Sequence, residues 1–130
     1  MLKFIAVIAT LSGALLNSQS CFAADAVPTK ISETSKGKML TDQKGMTLYV
    51  FDKDAAGKSN CSGGCATLWP ALSATADATA SGDYKIITRD DGSKQWAYKS
   101  KPLYTWSKDE KPGDTTGDGF NNNIWHIATP

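Results

Sequence analysis

The chain has 130 residues, 14 of them Lys or Arg against 13 Asp or Glu, for a net charge of +1, and 41% are hydrophobic. A chain this short holds one small domain with a modest core. Its near-neutral balance gives no support for a nucleic-acid partner or an anionic membrane surface.

The first segment reads as a targeting signal. Lys3 supplies a positive start, Phe4–Leu16 is an apolar run too short to span a bilayer, and a polar stretch follows from Asn17 to Ser20. Cys21 and Ala23 are small residues at the positions an A-x-A-like cleavage site needs, so residues 1–23 are expected to be a secretory signal peptide cut after Ala23. Cys21 admits a rival reading as the lipid-bearing cysteine of a bacterial lipoprotein. That processing wants an aliphatic residue where Ser18 stands, so soluble export to the periplasm or beyond is favoured. Removing 23 residues from 130 leaves 107, and the loss of Lys3 leaves 13 basic residues against 13 acidic. No later apolar run is long enough for a transmembrane helix. Of the three cysteines, Cys61 and Cys65 remain, and a disulfide is the default for such a pair in an oxidising compartment. The loop it closes is short, worth roughly 2 kcal/mol by chain entropy.

Residues 24–36 are polar and expected to be a flexible leader. From Gly37, "KMLTDQKGMTLYVFDKD" alternates apolar and polar residues about Gln43-Lys44-Gly45, which predicts strand, turn and strand. "GGCATLWPAL" allows a turn or two of helix before Pro70. The small, polar residues 73–82 are the best linker candidate. "YKIITRDDGSKQWAYKS" predicts a hairpin with a two-residue turn at Asp91-Gly92. "KPLYTWSKD" and "NIWHIA" supply two further short strands.

One phrase occurs twice. "TLYVFDKD" and "PLYTWSKD" both read Leu-Tyr-x-aromatic-x-Lys-Asp, and each is followed by a Gly-rich loop and a Trp. The two units, about 37–72 and 95–129, predict a mainly β single domain over residues 37–130. It would be built from two packed hairpin-type repeats with short helical turns and one disulfide, because neither unit alone can bury its face. In an extended strand Leu48 and Val50 point one way and Tyr49 and Phe51 the other; Leu103 and Thr105 likewise oppose Tyr104 and Trp106. Asp54 and Asp109 fall where each strand ends, where a carboxylate can accept from backbone N–H groups or a Tyr hydroxyl. Paired aromatics of this kind most often build a core. Beside a carboxylate they could instead form a ligand-binding face, which makes Tyr49, Phe51, Asp54, Tyr104, Trp106 and Asp109 the candidate site.

Tyr49-x-Phe51-x-x-Asp54 and Tyr104-x-Trp106-x-x-Asp109 resemble the predicted bacterial lipoprotein family with a repeated Yx(FWY)xxD motif, also called the secreted repeat of unknown function. "CSGGCATLWPAL" and "PGDTTGDG" with its following Trp resemble it too, so the likeness runs from Gly37 to Ala128. It implies an exported, envelope-associated protein of two repeats and brings no established activity.

Other constellations are incomplete. Asp52, Asp54 and Gly57 start like a calcium loop, but Ala56 and Gly63 stand where an EF-hand needs ligands. Three residues separate Cys61 from Cys65, whereas thioredoxin-type and c-haem motifs have two. His126, the only histidine, is a weak metal candidate with Met39 or Met46, since soft ligands suit copper. No nucleophile elbow, zinc-protease or phosphate-loop motif is present. The favoured reading is therefore a non-catalytic envelope module, without a cofactor, that binds a small ligand or a protein partner. A periplasmic redox-accessory protein handling metal or haem, and an uncharacterised enzyme, are the alternatives.

Overall fold

The computed structural model describes residues 27–130. The expected signal peptide, its Cys21 and the start of the leader lie outside the described residues.

The domain is mainly β, with three small antiparallel sheets, two short helices and a Cys61–Cys65 disulfide. β1 (Lys30–Thr34) pairs with β2 (Gly37–Thr41). β3 (Tyr49–Phe51) pairs with the last strand, β7 (Trp125–Ile127). β4 (Tyr84–Thr88), β5 (Lys94–Tyr98) and β6 (Lys101–Pro102) form the third sheet in that order. α1 (Gly64–Leu68) carries Cys65, and α2 (Phe120–Asn123) is a single turn before β7.

Three local expectations change. The leader expected to run through residue 36 ends sooner, because Lys30–Thr34 already pairs with Gly37–Thr41. The turn between them is stabilised by the Thr34 hydroxyl, which donates to Gly37 O and accepts from Lys36 N, both at 3.0 Å. The β4–β5 loop holds three residues where two were expected: Arg89 N donates to Ser93 O at 2.8 Å, leaving Asp90, Asp91 and Gly92 outside the ladder. Gly92 takes φ 89°, and Asp91 accepts from Ser93 N. The third change concerns β2 and β3. They touch only through a Thr41–Thr47 bridge, and β3 then leaves for β7.

That departure is the organising feature of the fold. Each repeat gives its final segment to the other. Leu40 N donates to Ala128 O, Ala128 N to Leu48 O and Leu48 N to Leu40 O, at 2.8–3.0 Å. In the other half, Trp96 N donates to Leu72 O, Leu72 N to Leu103 O and Leu103 N to Trp96 O, at 2.9–3.0 Å. Two equivalent three-way cycles thus form, each closed by a residue from the opposite repeat. Between them Tyr49 and Tyr104 exchange both backbone bonds, N to O, at 2.8 and 3.0 Å. This pair marks a pseudo-twofold axis.

The alternation of side chains then builds two cores. Leu40, Leu48, Trp96, Leu103 and Ala128 bury one face, and Tyr49, Cys61, Trp69, Tyr104, Trp106 and Trp125 bury the other. Residues 73–82, expected as a linker, begin as an added edge: Ser73 bridges Gln95 and Ala74 N donates to Lys94 O.

Candidate functional site

The repeated phrase sits on the axis, and its polar ends cross it. Tyr49 donates its hydroxyl proton to Asp109 Oδ2 at 2.8 Å, and Tyr104 donates to Asp54 Oδ2 at 2.7 Å. Each tyrosine therefore meets the aspartate of the other repeat. The carboxylates also close their own loops. Asp54 accepts from Asn60 N at 2.6 Å, while Asp109 Oδ1 accepts from Thr116 N and Oγ1 at 2.9 and 2.6 Å. Burial, with the neighbouring Asp54 adding to it, pushes the Tyr104 phenol up to about 12. The Tyr49 phenol is raised further, by burial first and then by Asp109. Asp54 is also raised by burial, against the pull of its two hydrogen bonds and of Arg89.

The aromatics cross the axis in the same way. Trp69 and Trp125, the tryptophans that close the two repeats, stack at 3.7 Å with planes 2° apart. Phe51 stacks on Trp125 at 4.2 Å, and Trp106 on Trp69 at 4.0 Å. The result is one column, Phe51–Trp125–Trp69–Trp106, alternating between repeats. Tyr49 and Tyr104 meet the two central rings edge-on at 5.2 and 5.1 Å. Such pairs contribute roughly 0.5–1.5 kcal/mol each beyond the area they bury. Gly117 lets the second loop reach this column. A Cβ there would stand 2.7 Å from Trp69 Cη2 and 3.0 Å from Trp106 Cγ.

Five residues escape sequence reasoning. Arg89, the only arginine, reaches from the end of β4 to Ser59 Oγ at 3.0 Å, Gln95 Oε1 at 2.7 Å and the Cys61 carbonyl. Ser59 in turn shares a 2.6 Å hydrogen bond with the Tyr104 hydroxyl, so the disulfide loop is tied to the axis. Gly117 is legible as a turn residue but not as a close approach. Lys99 and Ser100 form the turn between β5 and β6, with φ 50° and 71°, a left-handed geometry that nothing in "YKSKP" announces.

The six candidate residues are thus brought together, and most are interior. Tyr49 and Tyr104 are 0% exposed, Trp106 is 5% and Asp109 8%, with Phe51 and Asp54 half-buried. His126 Nε2 lies 2.8 Å from Asp52 Oδ2 across the β3–β7 pair. Met39 is buried with its sulfur 3.8 Å from Thr47 Oγ1, and Met46 is half-buried in the turn that Asp42 caps. Met39 and His126 line one shallow hollow of about 200 Å³. Among the described residues no three His, Cys, Asp or Glu side chains converge.

The concave surface lies elsewhere. Two adjoining hollows of about 260 and 290 Å³ share Val50, Asp52, Lys99 and Lys101. Asp54 and Pro102 line the first, and Tyr98 and His126 the second. They run between the β3–β7 ribbon and the Lys99–Ser100 turn.

The two-part architecture has a counterpart in comparisons with known proteins. The profile of one family matches twice, over residues 30–73 and 85–129. The chain belongs to the secreted repeat of unknown function. No curated protein and no solved structure matches it. The second match starts at Lys85, so the repeat includes β4, ten residues before the boundary expected at Gln95. In this secreted repeat the tandem motif residues bond from one copy to the other, Tyr49 to Asp109 and Tyr104 to Asp54. No helix among the described residues is long and apolar enough to cross a membrane.

Proposed function

We propose that this secreted repeat is a non-catalytic binding module, exported to the periplasm or beyond, and that it takes a small ligand in the cleft beside the Lys99–Ser100 turn. The tandem aromatics are the scaffold of that module, and the cleft is its working surface. One observation carries the reading: the two halves of the domain are equivalent, yet only one is open here. Lys44-Gly45 and Pro112 in one half correspond to Lys99-Ser100 and Gly57 in the other, at the spacing that separates Tyr49 from Tyr104. In the closed half the Pro112 ring lies on Gly45, 3.1 Å from where its Cβ would be, and Thr47 Oγ1 donates to Asp114 O at 2.6 Å. In the open half Gly57 offers no ring, and a Cβ there would meet nothing within 4 Å. The residue equivalent to Thr47 is Pro102, which has no hydroxyl to donate. The side-chain packing that closes one side is therefore missing from the other, where the two loops meet through a 2.8 Å bond from Gly57 N to Ser100 O, at a place lined by apolar walls and a few charged groups, as ligand sites are.

The test is a backbone-amide NMR screen of the exported protein against pools of small neutral, cationic and anionic compounds. Binding in the cleft moves the resonances of Val50, Asp52, Lys99–Lys101 and His126 while those of the closed half stay still. A protein that shifts nowhere, or turns a pool component over, would remove the reading.

A further inference from the structure

We infer that the Lys99–Lys101 turn is an oxyanion receptor: the ligand of the cleft carries a carboxylate or phosphate group, held by the Lys99 and Lys101 ammoniums. This rests on the cleft being the binding site, and it names the chemistry the site accepts.

The charges around the cleft are unevenly engaged. Asp52 Oδ2 lies 2.8 Å from His126 Nε2, and Asp54 accepts from the Tyr104 hydroxyl and Asn60 N, so both carboxylates have hydrogen-bond partners other than the two lysines. Lys99 and Lys101 are both exposed, and among the described residues neither ammonium meets a carboxylate. Lys99 Nζ rests 5.2 Å from the centre of the Tyr98 ring, a contact that takes up none of its charge with a carboxylate. Other surface lysines also lack partners. These two differ in bordering both hollows at once. Ammonium groups at a concave surface with apolar walls attract an anion more strongly than the same groups on a convex one, because less water screens them.

The backbone points the same way. A two-residue hairpin loop that takes φ above zero at both positions is normally built from Asn and Gly. Here the two positions are Lys and Ser, at φ 50° and 71°. The equivalent turn in the other half places its positive φ on Gly45, at 89°. Strain of this kind persists only where the surroundings fix it, and it gathers at ligand clamps. The turn is indeed fixed. Lys99 N donates to Asp83 O at 2.9 Å, and Ser100 O accepts from Gly57 N at 2.8 Å. A serine in place of glycine adds a hydroxyl-bearing residue to the lining of the first hollow, which Lys99 and Lys101 also line, and charge-assisted donors on one lining suit an oxyanion.

The experiment is an NMR titration of the exported protein with inorganic phosphate at low salt, repeated with phosphatidylglycerol vesicles and with phosphatidylcholine vesicles as the neutral control. Phosphate should shift the amides of Lys99, Ser100 and Lys101 saturably. The Lys99→Gln/Lys101→Gln protein should bind at least about tenfold more weakly, as loss of charged hydrogen bonds implies. A Lys85→Gln/Lys108→Gln protein carries the same charge change away from the cleft and should bind as the parent does. All four side chains are exposed, so both variants should keep their remaining resonances in place. If the phosphatidylglycerol vesicles also engage the turn in a Lys99- and Lys101-dependent way, the oxyanion comes from a lipid headgroup; if phosphate alone does, it comes from a soluble ligand. Equal weakening in both variants, or none in either, overturns the assignment. If neutral compounds move the cleft and phosphate does not, the oxyanion chemistry falls and the binding module stands. If nothing moves it, both fall.

Discussion

Tyr49→Phe is the substitution that asks most of the crossed architecture. It removes a hydroxyl that donates to Asp109 at 2.8 Å and accepts from Gly117 N at 3.2 Å, on a side chain that is fully buried. Asp109 keeps its two bonds from Thr116, so the loop is weakened and not lost. A hydrogen bond to a charged group contributes about 1.5–3 kcal/mol, so a loss of about 2 kcal/mol is expected. For a domain of roughly 100 residues that lowers the melting temperature by about 10 °C. The decisive quantity is the coupling, measured by urea unfolding followed through tryptophan fluorescence. Tyr49→Phe combined with Asp109→Ala should be less than additive by about 1–2 kcal/mol, and so should Tyr104→Phe with Asp54→Ala. The pairs within one motif, Tyr49 with Asp54 and Tyr104 with Asp109, should add to within about 0.5 kcal/mol. Coupling inside the motifs in place of coupling between them would refute the crossed arrangement.

Three further outcomes are expected. Gly117→Ala should cost about 1–3 kcal/mol in the same unfolding assay, because its methyl would enter the Trp69 and Trp106 rings, and an unchanged midpoint would contradict that packing. Tyrosine ionisation should be delayed. The folded pKa of Tyr104, about 12, lies above the unfolded value near 10, so its contribution to stability is intact below about pH 10 and is lost as pH rises through about 12. Tyr49 shifts in the same direction, and a titration at 295 nm should show the two phenols ionising only as circular dichroism reports unfolding; reversible ionisation of every tyrosine near pH 10 in a folded protein would be inconsistent with it. Reduction of Cys61–Cys65 should lower stability by roughly 2 kcal/mol without abolishing the fold, since the rings of the aromatic column stack on one another and not on the bridge. Complete unfolding by mild reductant would show that the fold depends on the bridge after all.

Much of this was legible in the sequence, and the limits have physical causes. The alternation Leu48, Tyr49, Val50, Phe51 assigns faces, and the two faces are the two cores. The disulfide follows from an even cysteine pair. Repetition tells that two units exist, but identical units satisfy Tyr–Asp pairing equally well within a copy or between copies. The crossing therefore leaves no mark on either motif. The cleft depends on differences instead. Gly57 against Pro112, Ser100 against Gly45 and Pro102 against Thr47 are all visible in a careful alignment of the two halves. Their meaning requires knowing that those positions touch. Arg89 was hidden for another reason: Ser59 and the Cys61 carbonyl lie 30 and 28 residues away, and neither they nor the nearby Gln95 carries a charge to suggest it.

The exchange of final segments also sets an order of events for the folding chain. Tyr49 waits for a carboxylate sixty residues downstream, Thr47 for a carbonyl sixty-seven downstream, and Leu48 for the amide of Ala128. Contacts this distant close slowly, because the intervening loop must first be restrained. The first repeat is thus no early folding nucleus, although it leaves the ribosome first. Its cycle cannot close until the last strand arrives with Ala128, whereas the second cycle needs nothing beyond Leu103.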